Sequence, residues 1–306
     1  HAAKVTRIPK ADPEFLIRVS FEERGPQNRD YYFSQNRFDH WPIERFLDSG
    51  PTRALLIGLP GAGKSYSFKR AAVRLAETLH QSCISDKFDE KAIVIPLVVD
   101  LKLYRGDVHN LVDQTLPSGL SLDELVLRFK VKIFLDSFNE MPREYWESGS
   151  YEADFSHFIS KVGNASIIIG SRTSDGLAKV EFPTYCLDQI DAGFIKTELE
   201  RLKINVDGRF EQEIVSLLQK PFYFHLVTAQ VVTLPKEPHP RDFYQTLFRG
   251  LTDSFEKRFG MCFDLTHALS IAAYAAINRG EEAQPLAAVL QVLKTQLHGE
   301  GIIAVD

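Results

Sequence analysis

Short apolar runs alternate with helical patterns between residues 51 and 190. Each run is about as long as a buried strand, and the stretch after it places apolar residues at helical spacing. This alternation predicts an α/β fold, in which a parallel sheet is flanked by helices on both faces. The predicted strands cover residues 54–58, 92–99, 131–136, 166–170 and 184–187.

The pattern changes after residue 190, where strand-like runs stop and helical patterns follow one another. The prolines between Pro235 and Pro240 break these patterns into two groups, which predicts two small helical domains. The predicted helices cover residues 191–202, 208–219, 221–233, 240–258, 263–279 and 285–298.

Residues 1–50 carry scattered prolines among aromatic and charged residues, and one alternating stretch at Phe15–Phe21 predicts a strand. We interpret this part as a lead-in segment and not as an independent domain. The chain starts at His1, and its last residues, 301–306, resemble the first strand of an unfinished hairpin. We therefore expect it to be the core of a longer protein.

Composition narrows the possible partners. The 306 residues, 44% of them hydrophobic, suffice for two or three domains with cores of their own. The net charge is −5 with charges interspersed, so no basic tract indicates nucleic-acid or membrane-surface binding. No apolar run approaches the roughly 20 residues that cross a bilayer, and no signal peptide is evident, so we expect a cytoplasmic protein.

Cys83, Cys186 and Cys262 lack metal-ligand spacing, and we expect them to be buried free thiols.

The most informative motif is a glycine-rich loop that directly follows the apolar run Ala54–Ile57. The spacing from Gly58 to Ser65 is the phosphate-binding pattern, in which backbone N–H groups surround the phosphates of a nucleoside triphosphate. The helix that follows adds the positive end of its dipole. The residues expected to contact the nucleotide are Gly58, Leu59, Pro60, Gly61, Ala62, Gly63, Lys64, Ser65 and Tyr66.

Two carboxylates extend the predicted site. Lys64 is placed to reach the β and γ phosphates, and Ser65 presents a hydroxyl to the Mg²⁺ ion that bridges them. Asp136 ends a predicted strand at the carboxyl edge of the sheet, where it is placed to hold the same ion. Glu140 is expected to polarise the water that attacks the γ phosphate. The alternative is that Asp136 caps the next loop and Glu140 is solvated.

Arg172 and Pro221 complete the predicted site. Arg172 follows another predicted strand, and its guanidinium matches phosphate oxygens, so we expect it to sense or neutralise the γ phosphate. The alternative is a surface arginine that pairs with Asp175 or Glu140. Pro221 opens a predicted helix, where proline is common for local reasons alone.

Together these elements resemble the STAND class of signal-transducing P-loop ATPases, and within it the NACHT branch. Gly58–Ser65 is similar to the phosphate loop of that family, Leu135–Glu140 to its Walker B segment, and Ile169–Arg172 to its Thr-Ser-Arg sensor strand. Pro221 stands where the family has a proline that touches the adenine. The resemblance covers about residues 35–306.

The resemblance also implies a domain organisation. Residues 51–190 would be the nucleotide-binding domain, residues 191–235 the first helical domain, and residues 240–306 most of a winged-helix domain. Asn139 replaces the second acidic residue of the Walker B pattern, a departure that bears on Mg²⁺ binding and ATP hydrolysis. The winged-helix histidine that contacts the bound diphosphate in the family would lie beyond Asp306.

The function implied by the resemblance is a nucleotide-controlled switch that binds ATP, ADP and Mg²⁺ and hydrolyses ATP slowly. ADP would hold the domains closed, and a protein trigger sensed by a C-terminal region outside this chain would permit exchange for ATP and self-association. Such an exchange shifts the equilibrium only as far as ATP and ADP differ in affinity for the two arrangements. Proteins of this class commonly act in antiviral defence in bacteria and in innate immunity in animals and plants.

Three other functions fit parts of the sequence. A P-loop phosphotransferase would use the same loop, but the helices after residue 190 do not resemble its arginine-rich lid. An AAA-type motor would share the P-loop, Asp136 and Glu140, and would hydrolyse ATP continuously, usually as a ring. A scaffold that binds nucleotide only for stability is compatible with Asn139.

Overall fold

The computed structural model describes residues 17–21, 41–84, 93–205, 210–235 and 238–260, together with residues 267, 270 and 274. Within these residues the chain forms a seven-stranded sheet with the strand order β2-β1-β7-β3-β6-β5-β4. The strands are β1 (Arg18–Phe21), β2 (Trp41–Pro42), β3 (Arg53–Ile57), β4 (Val94–Asp100), β5 (Lys130–Asp136), β6 (Ser166–Ser171) and β7 (Thr184–Leu187).

Helices occupy most of the intervening chain. The α-helices are α1 (Ile43–Ser49), α2 (Lys64–Ile84), α3 (Val108–Asp113), α4 (Leu122–Arg128), α5 (Arg143–Ser148), α6 (Tyr151–Lys161), α7 (Ala192–Arg201), α8 (Glu211–Leu218), α9 (Pro221–Thr228) and α10 (Pro240–Phe259). Single 3-10 turns are formed by Leu101–Leu103, Phe138–Glu140 and Ala178–Val180.

Strand direction divides the sheet into two parts. The five strands β7, β3, β6, β5 and β4 are parallel to one another, whereas β1 pairs antiparallel with both β7 and β2. Val19 of β1 lies opposite Leu187 on one side and Trp41 on the other. The predicted α/β sheet is therefore confirmed, and its five predicted strands are parallel to one another. The antiparallel strands β1 and β2 were not predicted to belong to the sheet. These strands belong to the lead-in segment, which extends the open edge of β7 and makes the sheet mixed.

Apolar side chains cover both faces of the sheet, as the short buried runs predict. On one face, Ile133 and Ile169 pack in a core with Phe155 of α6. On the other face, Leu56 and Phe134 pack with Phe68 of α2 and Phe46 of α1. Because successive residues of a strand point to opposite faces, a strand covered on both sides is apolar throughout. This explains why the five strands predicted between residues 54 and 187 agree with β3 to β7 to within two residues at each end.

The described chain separates into two compact units. One comprises the residues up to Asp191 together with Leu218–Tyr223, and the other comprises Ala192–Leu217 and the residues from Phe224 onward. In the described residues, none of the helices is both long and apolar enough to span a bilayer.

The helices of the second half differ from prediction mainly at α9, which ends at Thr228 and not at 233. Gln230 adopts a left-handed φ of 57°, and the N–H groups of Val231 and Val232 both donate to Leu226 O at 2.9 Å. This arrangement satisfies a terminal carbonyl and stops the helix. Of the predicted helix 263–279 the structure describes only residues 267, 270 and 274, and each of them is helical. The predicted helix 285–298, and with it most of the expected winged-helix domain, lies outside the described residues.

The prediction of buried cysteines is wrong for Cys83, which is exposed. Cys83 lies in the last turn of α2, and the buried residues of that helix, Ser67, Phe68 and Ala71, are all in its first half. Cys186 is half-buried on β7, and Cys262 is outside the described residues. Across the described part of the chain, no three His, Cys, Asp or Glu side chains are grouped to hold a metal ion.

Candidate functional site

The candidate site lies at the carboxyl ends of three parallel strands. In the sheet, β6 lies between β3 and β5, so the loops that follow these strands meet at one edge. The glycine-rich loop follows β3, Asp136 ends β5, and Arg172 follows β6. Crevices at this edge of an open α/β sheet are where ligands bind. The strand order therefore brings together residues that are far apart in the chain.

The glycine-rich loop joins β3 directly to α2, so the predicted strand, loop and helix are all present. Gly61 and Gly63 have φ angles of 81° and 97°, a region that glycine adopts without a steric penalty. The Gly58 N–H donates to Ser171 O on β6 at 3.1 Å, and the Ser67 N–H donates to Gly63 O at 2.8 Å. The loop is thereby fixed to the sheet at one end and to the helix at the other.

Neighbouring side chains pack closely on these glycines. A Cβ atom added at Gly63 would lie 2.5 Å from Cδ1 of Ile17, and one added at Gly58 would lie 3.1 Å from Cβ of Leu187. Larger residues at either position would therefore displace the loop or its neighbours. Ile17 precedes β1, so the lead-in segment contributes to the wall of the loop, which the sequence did not predict.

Pro221 is buried at the first position of α9, and the residue after it contacts the loop. The Phe222 N–H donates to Gly61 O at 3.2 Å. Cβ of Phe222 lies 3.8 Å from the position that a Cβ of Gly61 would occupy. The structure thus brings the start of α9 to the apex of the glycine-rich loop. The adenine contact that the family resemblance implies for Pro221 remains a prediction.

Lys64 is the first residue of α2 and turns back over the loop. Its ammonium donates to the carbonyl oxygen of Gly58 and, at 3.5 Å, to that of Leu59. Burial lowers the pKa of Lys64 from 10.5 to about 8, against the opposing effect of the carboxylates of Asp136 and Glu140. A cation at this point and the N–H groups at the start of α2 both favour an anionic ligand.

Asp136 and Ser65 form a pair of oxygen groups beside the loop. Burial raises the pKa of Asp136, while hydrogen bonds from the Ser65 side chain and the Ser137 N–H act in the opposite direction. The Ser137 N–H lies 2.9 Å from Asp136 Oδ1. A carboxylate and a hydroxyl, completed by water and phosphate oxygens, match the ligands that Mg²⁺ takes in phosphate sites. These two residues are chemically suited to hold that ion.

Glu140 has different surroundings, because both of its carboxylate oxygens face a cation. Lys102 Nζ lies 2.9 Å from Oε2, and Arg172 Nη2 lies 2.8 Å from Oε1. Partial burial acts to raise the pKa of Glu140, but the hydrogen bonds from Lys102 and Arg172 outweigh it and hold the pKa below its ordinary value. The pairing of Arg172 with Glu140 is one of the alternatives that the sequence left open.

Asn139 connects the loop after β5 to the end of β6. Its side-chain oxygen accepts a hydrogen bond from the Arg172 N–H at 3.0 Å. The amide that replaces the second acidic residue of the Walker B pattern thus positions the backbone of Arg172. Sequence reasoning interpreted Asn139 only as a departure, and it gave no role to Lys102. Neither contact has a local signal, because each joins two separate strand ends.

Of the remaining loop residues, Ala62 is buried, whereas Leu59, Pro60 and Tyr66 are exposed at the edge of the site. The structure therefore places the predicted residues from Gly58 to Tyr66 around a single loop, with Asp136, Glu140 and Arg172 at the same edge of the sheet. The roles assigned to them from the sequence remain predictions.

No protein-family model matches the chain, and no curated protein sequence matches it. Solved structures resemble it weakly. The Aeropyrum pernix ORC1 protein in complex with DNA is 15% identical over 84% of this chain and 74% of that chain, with a TM-score of 0.40. Cdc6p from Pyrobaculum aerophilum is 13% identical over 86% of this chain and 84% of that chain, with a TM-score of 0.33. A mutant of Thermotoga maritima RuvB is 14% identical over 86% of each chain, with a TM-score of 0.32. Similarity at this level assigns neither a family nor an activity to the chain.

Proposed function

We propose that the chain binds ATP and ADP at the loop from Gly58 to Ser65, with Mg²⁺ held by Ser65 and Asp136. The observation that carries this proposal is the geometry of the loop, which joins a buried strand to a helix and lies beside a hydroxyl and a carboxylate. The backbone N–H groups of the loop and Lys64 supply the positive potential that phosphates need. Pro221 would contact the base, as the family resemblance implies, and the hydrogen bond from Phe222 to Gly61 supports this by holding the start of α9 near the loop.

The proposed reaction is slow ATP hydrolysis. In phosphoryl transfer the protein mainly positions the reactants and stabilises charge, and Mg²⁺ would supply the neutralisation of the phosphate oxygens. Glu140 would accept a proton from the attacking water, and Arg172 would bind the γ phosphate through its planar guanidinium. The two ion pairs of Glu140 support a low basal rate, because a carboxylate with a lowered pKa is a weak base.

The proposed biological role is that of a STAND-class switch, in which exchange of ADP for ATP controls opening and self-association. The motifs quoted from the sequence support this role, and defence against viruses or other immune signalling is its usual setting. The trigger would be a protein sensed by a region outside this chain. A low basal rate suits a switch better than a motor, which hydrolyses ATP continuously.

Calorimetric titration of the purified chain with ATP and ADP in the presence of Mg²⁺ tests the binding proposal. Lys64→Ala removes a charged hydrogen-bond donor to the phosphates, so we expect ATP affinity to fall roughly 10- to 100-fold, as the loss of about 1.5–3 kcal/mol implies. Lys69→Ala is the matched control, because Lys69 is exposed on the same helix. Equal ATP affinities for the wild type and Lys64→Ala would contradict the loop assignment.

Nucleotide content and size after purification distinguish the proposed switch from the other ATP-dependent functions. A monomer that retains ADP is the expected result for a switch, whereas a ring that contains no retained nucleotide and turns over rapidly would identify a motor. A phosphotransferase would be recognised by ATP consumption that rises many-fold with one small acceptor.

A further inference from the structure

We propose that Lys102 is a positioning residue that restrains ATP hydrolysis by holding Glu140 away from the attacking water. This inference rests on the proposed function, because it concerns the regulation of the same site. It assigns a role to a residue that belongs to none of the recognised motifs.

The backbone around Lys102 is firmly placed. Lys102 lies in the 3-10 turn Leu101–Leu103 immediately after β4, and β4 pairs with β5 so that Asp100 lies opposite Asp136. The Lys102 N–H donates to Asp100 Oδ1 at 3.1 Å, and the side chain of Leu101 is fully buried. The turn therefore fixes the backbone from which the Lys102 side chain reaches the loop that carries Glu140.

The ion pairs of Glu140 use both oxygens of its carboxylate. Lys102 takes Oε2 and Arg172 takes Oε1, at 2.9 and 2.8 Å. A general base needs a lone pair directed at the water and a pKa close to the working pH. Two cations work against both requirements, because they occupy the oxygens and favour the unprotonated carboxylate.

The two cations differ in their distance from the phosphate loop within the sheet. Arg172 follows β6, which is the direct neighbour of β3 and its loop, whereas Lys102 follows β4, which lies beyond β5. A γ phosphate at the loop would compete with Glu140 for the guanidinium of Arg172, since phosphate binds arginine in a bidentate manner. Lys102 is further along the sheet and would remain on Glu140. The residual restraint on hydrolysis in the ATP-bound protein is therefore the Lys102 pair.

The expected size of the effect follows from the exposure of the pair. The side chains of Lys102 and Glu140 are 49% and 33% exposed, so the pair is partly screened by water. Exposed ion pairs of this kind correspond to changes of roughly two- to fivefold in an equilibrium. Lys102→Met is therefore expected to raise the turnover number for Mg²⁺-ATP roughly two- to fivefold and to leave the KM for ATP unchanged.

Steady-state ATP hydrolysis by the full chain provides the test. Lys102→Arg keeps the cation and should retain the slow rate, whereas Lys102→Met should be faster. Lys130→Met removes an exposed lysine at the opposite end of β5 and should behave like the wild type. The double variant Lys102→Met with Glu140→Gln should be as inactive as Glu140→Gln alone, which shows that the gain acts through Glu140.

An unchanged or lower turnover number in Lys102→Met, with ATP affinity intact, would overturn the inference. A poorly folded variant would also be slow, so the thermal unfolding of Lys102→Met is compared with that of the wild type. Lys102→Gln, which also removes the charge, serves as a second variant and is checked in the same way. If the wild type binds ATP without measurable turnover, the appearance of turnover in Lys102→Met supports the inference and its absence overturns it. Failure of the proposed function is distinguishable from this outcome, because in that case neither the wild type nor Lys102→Met would bind ATP.

Discussion

The two carboxylates at the end of β5 have opposite surroundings, although only three residues separate them. Asp136 is 7% exposed and contacts hydroxyl and N–H groups, and burial raises its pKa. Glu140 is partly exposed and paired with two cations, which lower its pKa. The buried group would gain from the proposed Mg²⁺ ion, since a divalent cation would offset its desolvation. The paired group already faces two cations and would have to lose a partner before it could act as the proposed base.

The turn between these residues produces the difference. Ser137 adopts a left-handed φ of 63°, which redirects the chain as it leaves β5. Phe138 then enters a group of aromatic rings, with its ring centroid 5.0 Å from that of Trp146 and 5.5 Å from that of Phe155. Ser137 and Phe138 therefore separate the two carboxylates. Asp136 stays beside the glycine-rich loop, whereas Glu140 reaches Lys102 and Arg172.

The largest expected effect comes from Glu140→Gln, which removes the proposed base and keeps the size of the side chain. We expect ATP turnover to fall by roughly 100- to 10,000-fold, the usual contribution of general-base catalysis. ATP affinity should stay close to that of the wild type, because Glu140 faces cations and not the loop. Single-turnover hydrolysis and ATP titration measure the two quantities separately. An unchanged rate would remove Glu140 from its proposed role as the base.

Phe138→Ala tests whether the aromatic contacts hold the turn in place. The side chain is fully buried, so its truncation should lower the free energy of unfolding by about 3–5 kcal/mol. Urea denaturation followed by circular dichroism gives this value. Leu127→Ala is the control, because Leu127 is 85% exposed and its truncation should change stability by less than about 0.5 kcal/mol. Equal stabilities for the two variants would mean that Phe138 does not anchor the turn.

Ser137→Gly should have the smallest effect on stability and, unlike Phe138→Ala, should raise the free energy of unfolding. A left-handed conformation costs a non-glycine residue roughly 1–2 kcal/mol, and glycine adds about 0.5–1 kcal/mol of chain entropy to the cost of folding. The net expectation is a stabilisation of a few tenths to about 1 kcal/mol, measured by thermal unfolding. Ser121→Gly, at the N-cap of α4 with φ −122°, should instead be slightly destabilising. A clear loss of stability in Ser137→Gly would show that the hydroxyl, and not the backbone, determines the turn.

The parts of this site that could be predicted from the sequence are those with a local signal. The loop from Gly58 to Ser65 is specified by glycine spacing, and the apolar runs before Asp136 and Arg172 identify their strands. Because parallel strands end at a common edge, these residues could be expected to meet before any strand order was known.

The remaining features depend on contacts between distant segments. In the sheet, β5 lies between β4 and β6. Lys102, after β4, therefore reaches Glu140, and Asn139, after β5, reaches Arg172 at the end of β6. The antiparallel pairing of β1 was missed for the same reason, since an alternating stretch does not specify its partner strand or its direction. Helix limits were less predictable than strand limits, as α9 shows, because a left-handed residue such as Gln230 leaves no clear mark in the sequence.

The most direct test of the proposed site is the effect of Mg²⁺ on ATP affinity in the wild type and in Asp136→Asn, measured by calorimetric titration. The amide keeps the size of the side chain and removes the charge that would hold the ion. We expect Mg²⁺ to strengthen ATP binding to the wild type and to have little effect on the variant. An equal effect of Mg²⁺ on both proteins, or a folded wild type that does not bind ATP, would contradict the assignment of this sheet edge as a Mg²⁺-nucleotide site.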